Sequence, residues 1–141
     1  MTKEVLISVK GMQMAGEDSD SLEVICSGNY YFKNGKHYLI YEEVVDETTQ
    51  AVKNTVIISD GKFELKKNGV VSTNMTFEEK KKNITYYETP VGNLMMGIDT
   101  RKIVLEESEN EIVVTIKYAL DINYEFVSDC EIRFKITALN N

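Results

Sequence analysis

Proline, histidine and cysteine are nearly absent from this chain, which has one Pro, one His and two Cys in 141 residues. One proline and eight glycines exclude a low-complexity or linker-rich polypeptide. The two cysteines, Cys26 and Cys130, lie about a hundred residues apart and form no CxxC pair. With a lone histidine they cannot supply a zinc ligand set, so no metal or cofactor is expected. They read as small apolar side chains on buried faces, with no disulfide in a reducing compartment. No segment approaches the roughly 20 apolar residues of a membrane-spanning helix. The short apolar stretch in MTKEVLISVKGMQ is preceded by Glu4 and interrupted by Lys10, unlike the core of a signal peptide. The expected location is cytoplasmic, with no membrane partner.

Positive charge is scarce too. The net charge is −7 and the isoelectric point about 4.8. Nucleic acid and anionic lipid reward clustered Lys and Arg, so neither is expected as a partner. Two basic runs, KKNG at Lys66–Gly69 and KKKN at Lys80–Asn83, fall at predicted turns without interleaved aromatics. Glycine motifs that cradle phosphate, GxGxxG and GxxxxGK, do not occur. The acidic stretch Gly16–Glu23 lacks the central glycine and closing glutamate of a calcium loop.

Alternation of apolar and polar residues dominates the rest. EIRFKIT sets Ile132, Phe134 and Ile136 against Glu131, Arg133, Lys135 and Thr137. EIVVTIKYALDIN and KEVLISVKG repeat the pattern. A period of two marks antiparallel strands with one dry and one wet face. Asn34-Gly35, Asp60-Gly61 and Asn68-Gly69 separate such runs. These dipeptides favour the positive φ angles of tight hairpins. Thr89-Pro90-Val91-Gly92 reads as a further turn, a type I turn with Gly92 at positive φ. Gly28 lies within an otherwise regular strand, on the same side as Val24, Cys26 and Tyr30, which suits sharp coiling or close backbone approach.

The reading gives about ten strands, near 3–13, 21–32, 36–46, 52–59, 62–67, 70–78, 83–89, 93–105, 111–123 and 126–138. Long meandering strands need protected edges, and a barrel that pairs its last strand with its first protects them. The expectation is an all-β protein. One domain, 1–141, forms an antiparallel up-and-down meander that closes into a calycin- or lipocalin-like barrel of eight to ten strands.

The residues NGKHYLIYEE (Asn34–Glu43), YYETPVGNLMMGI (Tyr86–Ile98) and VLISVKGMQ (Val5–Gln13) resemble signature stretches of the YwiB-like proteins, a bacterial family of uncharacterised function. The resemblance spans nearly the whole chain. It implies a calycin-like barrel, related in shape to lipocalins and fatty-acid-binding proteins, and it brings no catalytic residues.

Candidate chemistry is sparse. His37 reads as an exposed strand-edge residue, without a cysteine or serine beside it to form a nucleophile–base pair. Period-two counting places Tyr38 and Glu42 on one face, Tyr86 and Glu88 on another, and Tyr118 among apolar neighbours. If those faces point inward, they line a lumen in which phenols hydrogen-bond buried carboxylates. The first reading is therefore a non-catalytic barrel that binds a small, partly apolar ligand through Tyr38, Glu42, Tyr86, Glu88 and Tyr118. The alternative is a barrel filled by its own side chains that binds a protein partner, as a monomer or a homodimer. A hydrolase built on two carboxylates stands behind both. A packed lumen favours the protein partner.

Overall fold

The computed structural model describes residues 3–13, 21–43, 52–68, 73–89 and 92–139. They form ten strands and, among the described residues, no helix: β1 (Glu4–Gln13), β2 (Ser21–Lys33), β3 (Lys36–Glu43), β4 (Val52–Ser59), β5 (Lys62–Asn68), β6 (Thr73–Glu78), β7 (Lys81–Thr89), β8 (Gly92–Glu107), β9 (Glu111–Ile122) and β10 (Glu125–Ala138). The described ladders are all antiparallel, and the sheet order is β6-β5-β4-β3-β2-β1-β10-β9-β8-β7. The first strand pairs with the last, from Val5 opposite Ala138 to Gln13 opposite Cys130. Full pairing of these long strands removes two edges that would otherwise be exposed.

One seam remains, between β6 and β7, where no ladder is described. Side chains bridge it. The Thr85 hydroxyl donates to the Asn74 carbonyl at 2.7 Å, and the Ile103 N–H donates to Glu79 Oε1 at 2.9 Å. The architecture is thus a nearly closed barrel.

The turns follow the local chemistry. Asn34 and Gly35 sit at φ 54° and 74°, and Gly61 sits at 68°. The β9–β10 turn uses Asn123 and Tyr124 at φ 51° and 70°, a tight turn that lacks an Asn-Gly or Asp-Gly signal. Gly92 has φ 130° and pairs with Thr89, while Pro90 and Val91 lie outside the described residues, as does Gly69.

Alternation fills the interior. Val5, Ile7, Leu39, Val56, Ile58, Phe63, Phe77, Ile98, Val114, Ile116, Phe134 and Ile136 are almost fully buried. Gly28 sits where neighbouring strands leave no room for a side chain. A Cβ there would lie 2.6 Å from Ile7 Cδ1 and 2.8 Å from the Ile40 carbonyl oxygen. Two bulges reset the alternation, at Arg101 in β8 and at Val127 in β10. A one-residue insertion turns every later side chain of its strand to the opposite face. Ile98 and Thr100 face inward before the first bulge, and Ile103, Leu105 and Glu107 share the inner side after it.

Candidate functional site

The lumen is closed by aromatic rings that meet across it. Phe63 on β5 lies 4.8 Å, centroid to centroid, from Phe134 on β10. Phe77 on β6 lies 5.1 Å from Tyr118 on β9, edge to face. Phe63 and Phe77 themselves are 5.9 Å apart. β5 and β10 are separated by four other strands in the sheet, so the Phe63–Phe134 contact joins opposite walls, while Phe77 and Tyr118 meet across the seam side. Tilted and edge-to-face pairs at such distances are favourable packing, and they fill the lumen where they meet. The Tyr118 hydroxyl is satisfied inside by the Cys130 thiol, and Cys130 Sγ lies 3.2 Å from Ser128 Oγ. Burial, then the neighbouring Cys130, push the Tyr118 phenol well above the usual tyrosine range.

The five residues expected to line the lumen do not converge. Tyr118 is inside. On β3 the inner positions belong to Leu39 and Tyr41, so Tyr38 and Glu42 face outward. Tyr86 is 68% exposed on the outer wall, beside exposed Ile84. Glu88 shares a strand with them and pairs with Asn93, but its side chain lies outside the described residues. The correction has a physical origin. β3 is apolar on both faces, so periodicity cannot orient it. The Asn34-Gly35 turn orients it instead, by setting Tyr30 opposite Leu39 and Gly28 opposite Tyr41. On β7 the inner face is the polar one, Asn83 and Thr85, because this strand borders the seam.

His37 is also corrected. It is not an exposed edge residue, since its side chain is only 12% exposed. Nδ1 lies 2.6 Å from the Tyr30 hydroxyl and Nε2 lies 2.7 Å from Glu107 Oε1. The ring of Phe32 covers it at 5.0 Å. Burial, and then the Glu107 charge, raise the Tyr30 phenol above its ordinary range. A carboxylate, an imidazole and a hydroxyl in line have the outline of a nucleophile–base arrangement. Here the hydroxyl is a buried phenol that holds its proton, which suits a structural tie between β2, β3 and β8. Among the described residues no group of three His, Cys, Asp or Glu side chains could hold a metal ion.

The outer wall of β7 to β10 gathers what the interior does not use. Ile84, Gly97, Asp121 and Phe126 stand opposite one another in register across the four strands. Asp121 leans over Gly97 to reach Lys82 Nζ at 2.6 Å. The hydrogen bond to Asp121 raises the Lys82 ammonium above its usual range, and the charges of Asp121 and Asp99 add to that. Tyr124 and Phe126 are 78% and 62% exposed. Tyr124 holds a positive φ that a non-glycine residue rarely adopts. Its turn is fixed by Asn123, whose N–H donates to the Met95 carbonyl while its side-chain oxygen accepts from the Met95 N–H.

A family described as a domain of unknown function (DUF1934) matches residues 7–134. The chain belongs to this family. A relative from Bacillus subtilis (strain 168), described as an uncharacterized beta-barrel protein YwiB, is 30% identical over 112 residues, covering 77% of this chain and 78% of that one. The crystal structure of the ywiB protein from Bacillus subtilis superposes with a TM-score of 0.81 at 22% identity, over 98% of this chain and 93% of that one. The DUF1934 chain is therefore a barrel of the YwiB shape. No helix among the described residues is long and apolar enough to cross a membrane.

Proposed function

We propose that this barrel is a non-catalytic protein-interaction module whose outer β7–β10 wall receives a partner protein. The single observation that carries the reading is the contact of Phe63 with Phe134 from the opposite wall, which occupies lumen space a ligand would need. The wall supplies what an interface core requires. Tyr86, Tyr124 and Phe126 are large, exposed and set on paired strands or a hydrogen-bonded turn, so little side-chain freedom is lost on contact. Tyr124 keeps a costly backbone conformation while pointing into water, which is how a recognition residue is held ready. Cys26 and Cys130 form no disulfide, which suits a reducing, cytoplasmic setting.

The test is affinity purification from the native host with wild type, Tyr86→Ser and Phe126→Ser, each first shown to keep its melting temperature. The same partner should be retained by wild type and lost from both variants. Equal retention by all three removes the assignment of this wall. A metabolite that stabilises the protein in a thermal-shift screen, with no partner retained, removes the interaction reading itself. Size-exclusion chromatography separates a foreign partner from a second copy of this chain.

A further inference from the structure

Two polar atoms on the inner face of β7 and β8 are buried without a hydrogen bond. Thr100 is fully buried, and its Oγ1 bonds to no neighbour among the described residues. Nδ2 of Asn83 is closed to solvent and equally unbonded. The β7–β8 register makes the two side chains neighbours. Asn83 stands opposite Ile98 and Lys81 opposite Thr100, so Thr100 is the diagonal neighbour of Asn83 on the same face. Diagonal side chains can reach a shared third atom between them. A buried donor without a partner has lost its hydration and gained no bond in return. Native interiors meet that demand with bound water.

The surroundings suit a water. β7 pairs with β8 on one side only, and its other edge turns backbone groups toward the β6–β7 seam. In the chain Asn83 lies between Glu79 and Thr85, whose side chains bridge that seam. On its other flank Thr100 stands opposite Tyr118, whose ring meets Phe77 of β6 at 5.1 Å. That aromatic pair offers no strong hydrogen-bond partner, since the Tyr118 hydroxyl is already engaged by Cys130. We propose that a water molecule is bound here, accepting a hydrogen bond from Asn83 Nδ2 and donating one to Thr100 Oγ1, and that it completes the barrel wall beside the β6–β7 seam. Water suits the pair because it accepts and donates at once. The site is independent of the outer partner wall, because both side chains belong to the inner face.

The test is solvent-to-protein NOE and ROE spectroscopy on the full, isotope-labelled chain. A water held for longer than the protein takes to tumble gives NOE and ROE peaks of opposite sign, and surface water does not. The Asn83 side-chain amide and the Thr100 methyl should both show opposite-sign peaks. Tyr118→Phe removes a nearby hydroxyl that could relay solvent protons, and the peaks should remain. Thr100→Val keeps the shape of the side chain and removes its hydroxyl. It should remove the Asn83 peak and lower the melting temperature by about 3 °C. Loss of a hydroxyl that bonded to nothing would instead leave stability unchanged or raised. Each of these results overturns the proposal: no opposite-sign solvent peak at Asn83 in the wild type, loss of that peak in Tyr118→Phe, its survival in Thr100→Val, or a Thr100→Val melting temperature equal to or above that of the wild type.

Discussion

His37 Nε2 and Glu107 Oε1 lie 2.7 Å apart, although 70 residues separate them in the chain. The bond ties β3 to the end of β8, and the bulge at Arg101 is what turns Glu107 inward to make it. Glu107 is 48% exposed, so solvent screens part of the interaction. Glu107→Ala should lower stability by about 1 kcal/mol. Tyr30→Phe should cost about as much, and the double variant less than the sum because both act through His37. Urea denaturation measures this. Strict additivity would show that the three groups do not form one unit.

Gly97→Ala should destabilise through a named neighbour. Its Cβ would fall on the carboxylate of Asp121, with Cγ at 2.7 Å, and push it away from Lys82. The expected loss is about 1–2 kcal/mol. In an Asp121→Ala background the same substitution should cost clearly less. An equal cost in both backgrounds would place the strain elsewhere.

Gly28→Ala should be worse, because the obstructing atom includes the Ile40 carbonyl at 2.8 Å, which moves only with the β3 backbone. A loss of about 2 kcal/mol or more is expected. Gly11→Ala is the control, since among the described residues nothing lies within 4 Å of the added Cβ. Its midpoint should stay within about 0.5 kcal/mol of wild type.

Gly92→Ala isolates backbone strain. Among the described residues no atom crowds the new Cβ, but φ is 130°. The expected cost is about 1 kcal/mol, since L side chains avoid that conformation. An unchanged denaturation midpoint contradicts it.

Alkaline pH should act through Tyr118 and Tyr30. Both phenols keep their protons in the folded state beyond the ordinary value of 10.0. Above that pH the unfolded chain releases a proton that the native protein retains, so stability falls as pH rises. Below it neither group contributes a slope. Tyr118→Phe should make the decline from pH 10.0 to about 12 shallower. A steeper decline in the variant would reverse the assigned sign.

The strand count, the meander, the closure of β1 on β10, the role of Gly28 and the inward faces of β1, β9 and β10 were legible in the sequence. Each rests on local chemistry: period-two alternation, Asn-Gly turns, and one face plainly more apolar than the other. The faces of β3 and β7 were not legible from periodicity. Leu39 and Tyr41 compete with Tyr38 and Ile40 on equal terms, and only pairing with β2 decides between them. Counting outward from the Asn34-Gly35 turn would have oriented β3. No such count reaches β7, whose inner face is polar because it borders the β6–β7 seam. The His37–Glu107 bond depends on a bulge at Arg101 that no residue type announces, and on a contact across the barrel end. Whether the lumen is open or filled is likewise a tertiary fact. Phe63 and Phe134 are each ordinary inward residues of their own strands, and only the radius of the closed barrel brings their rings together. Local sequence decides which side of a strand is dry, whereas distances between opposite walls depend on how all ten strands twist and close.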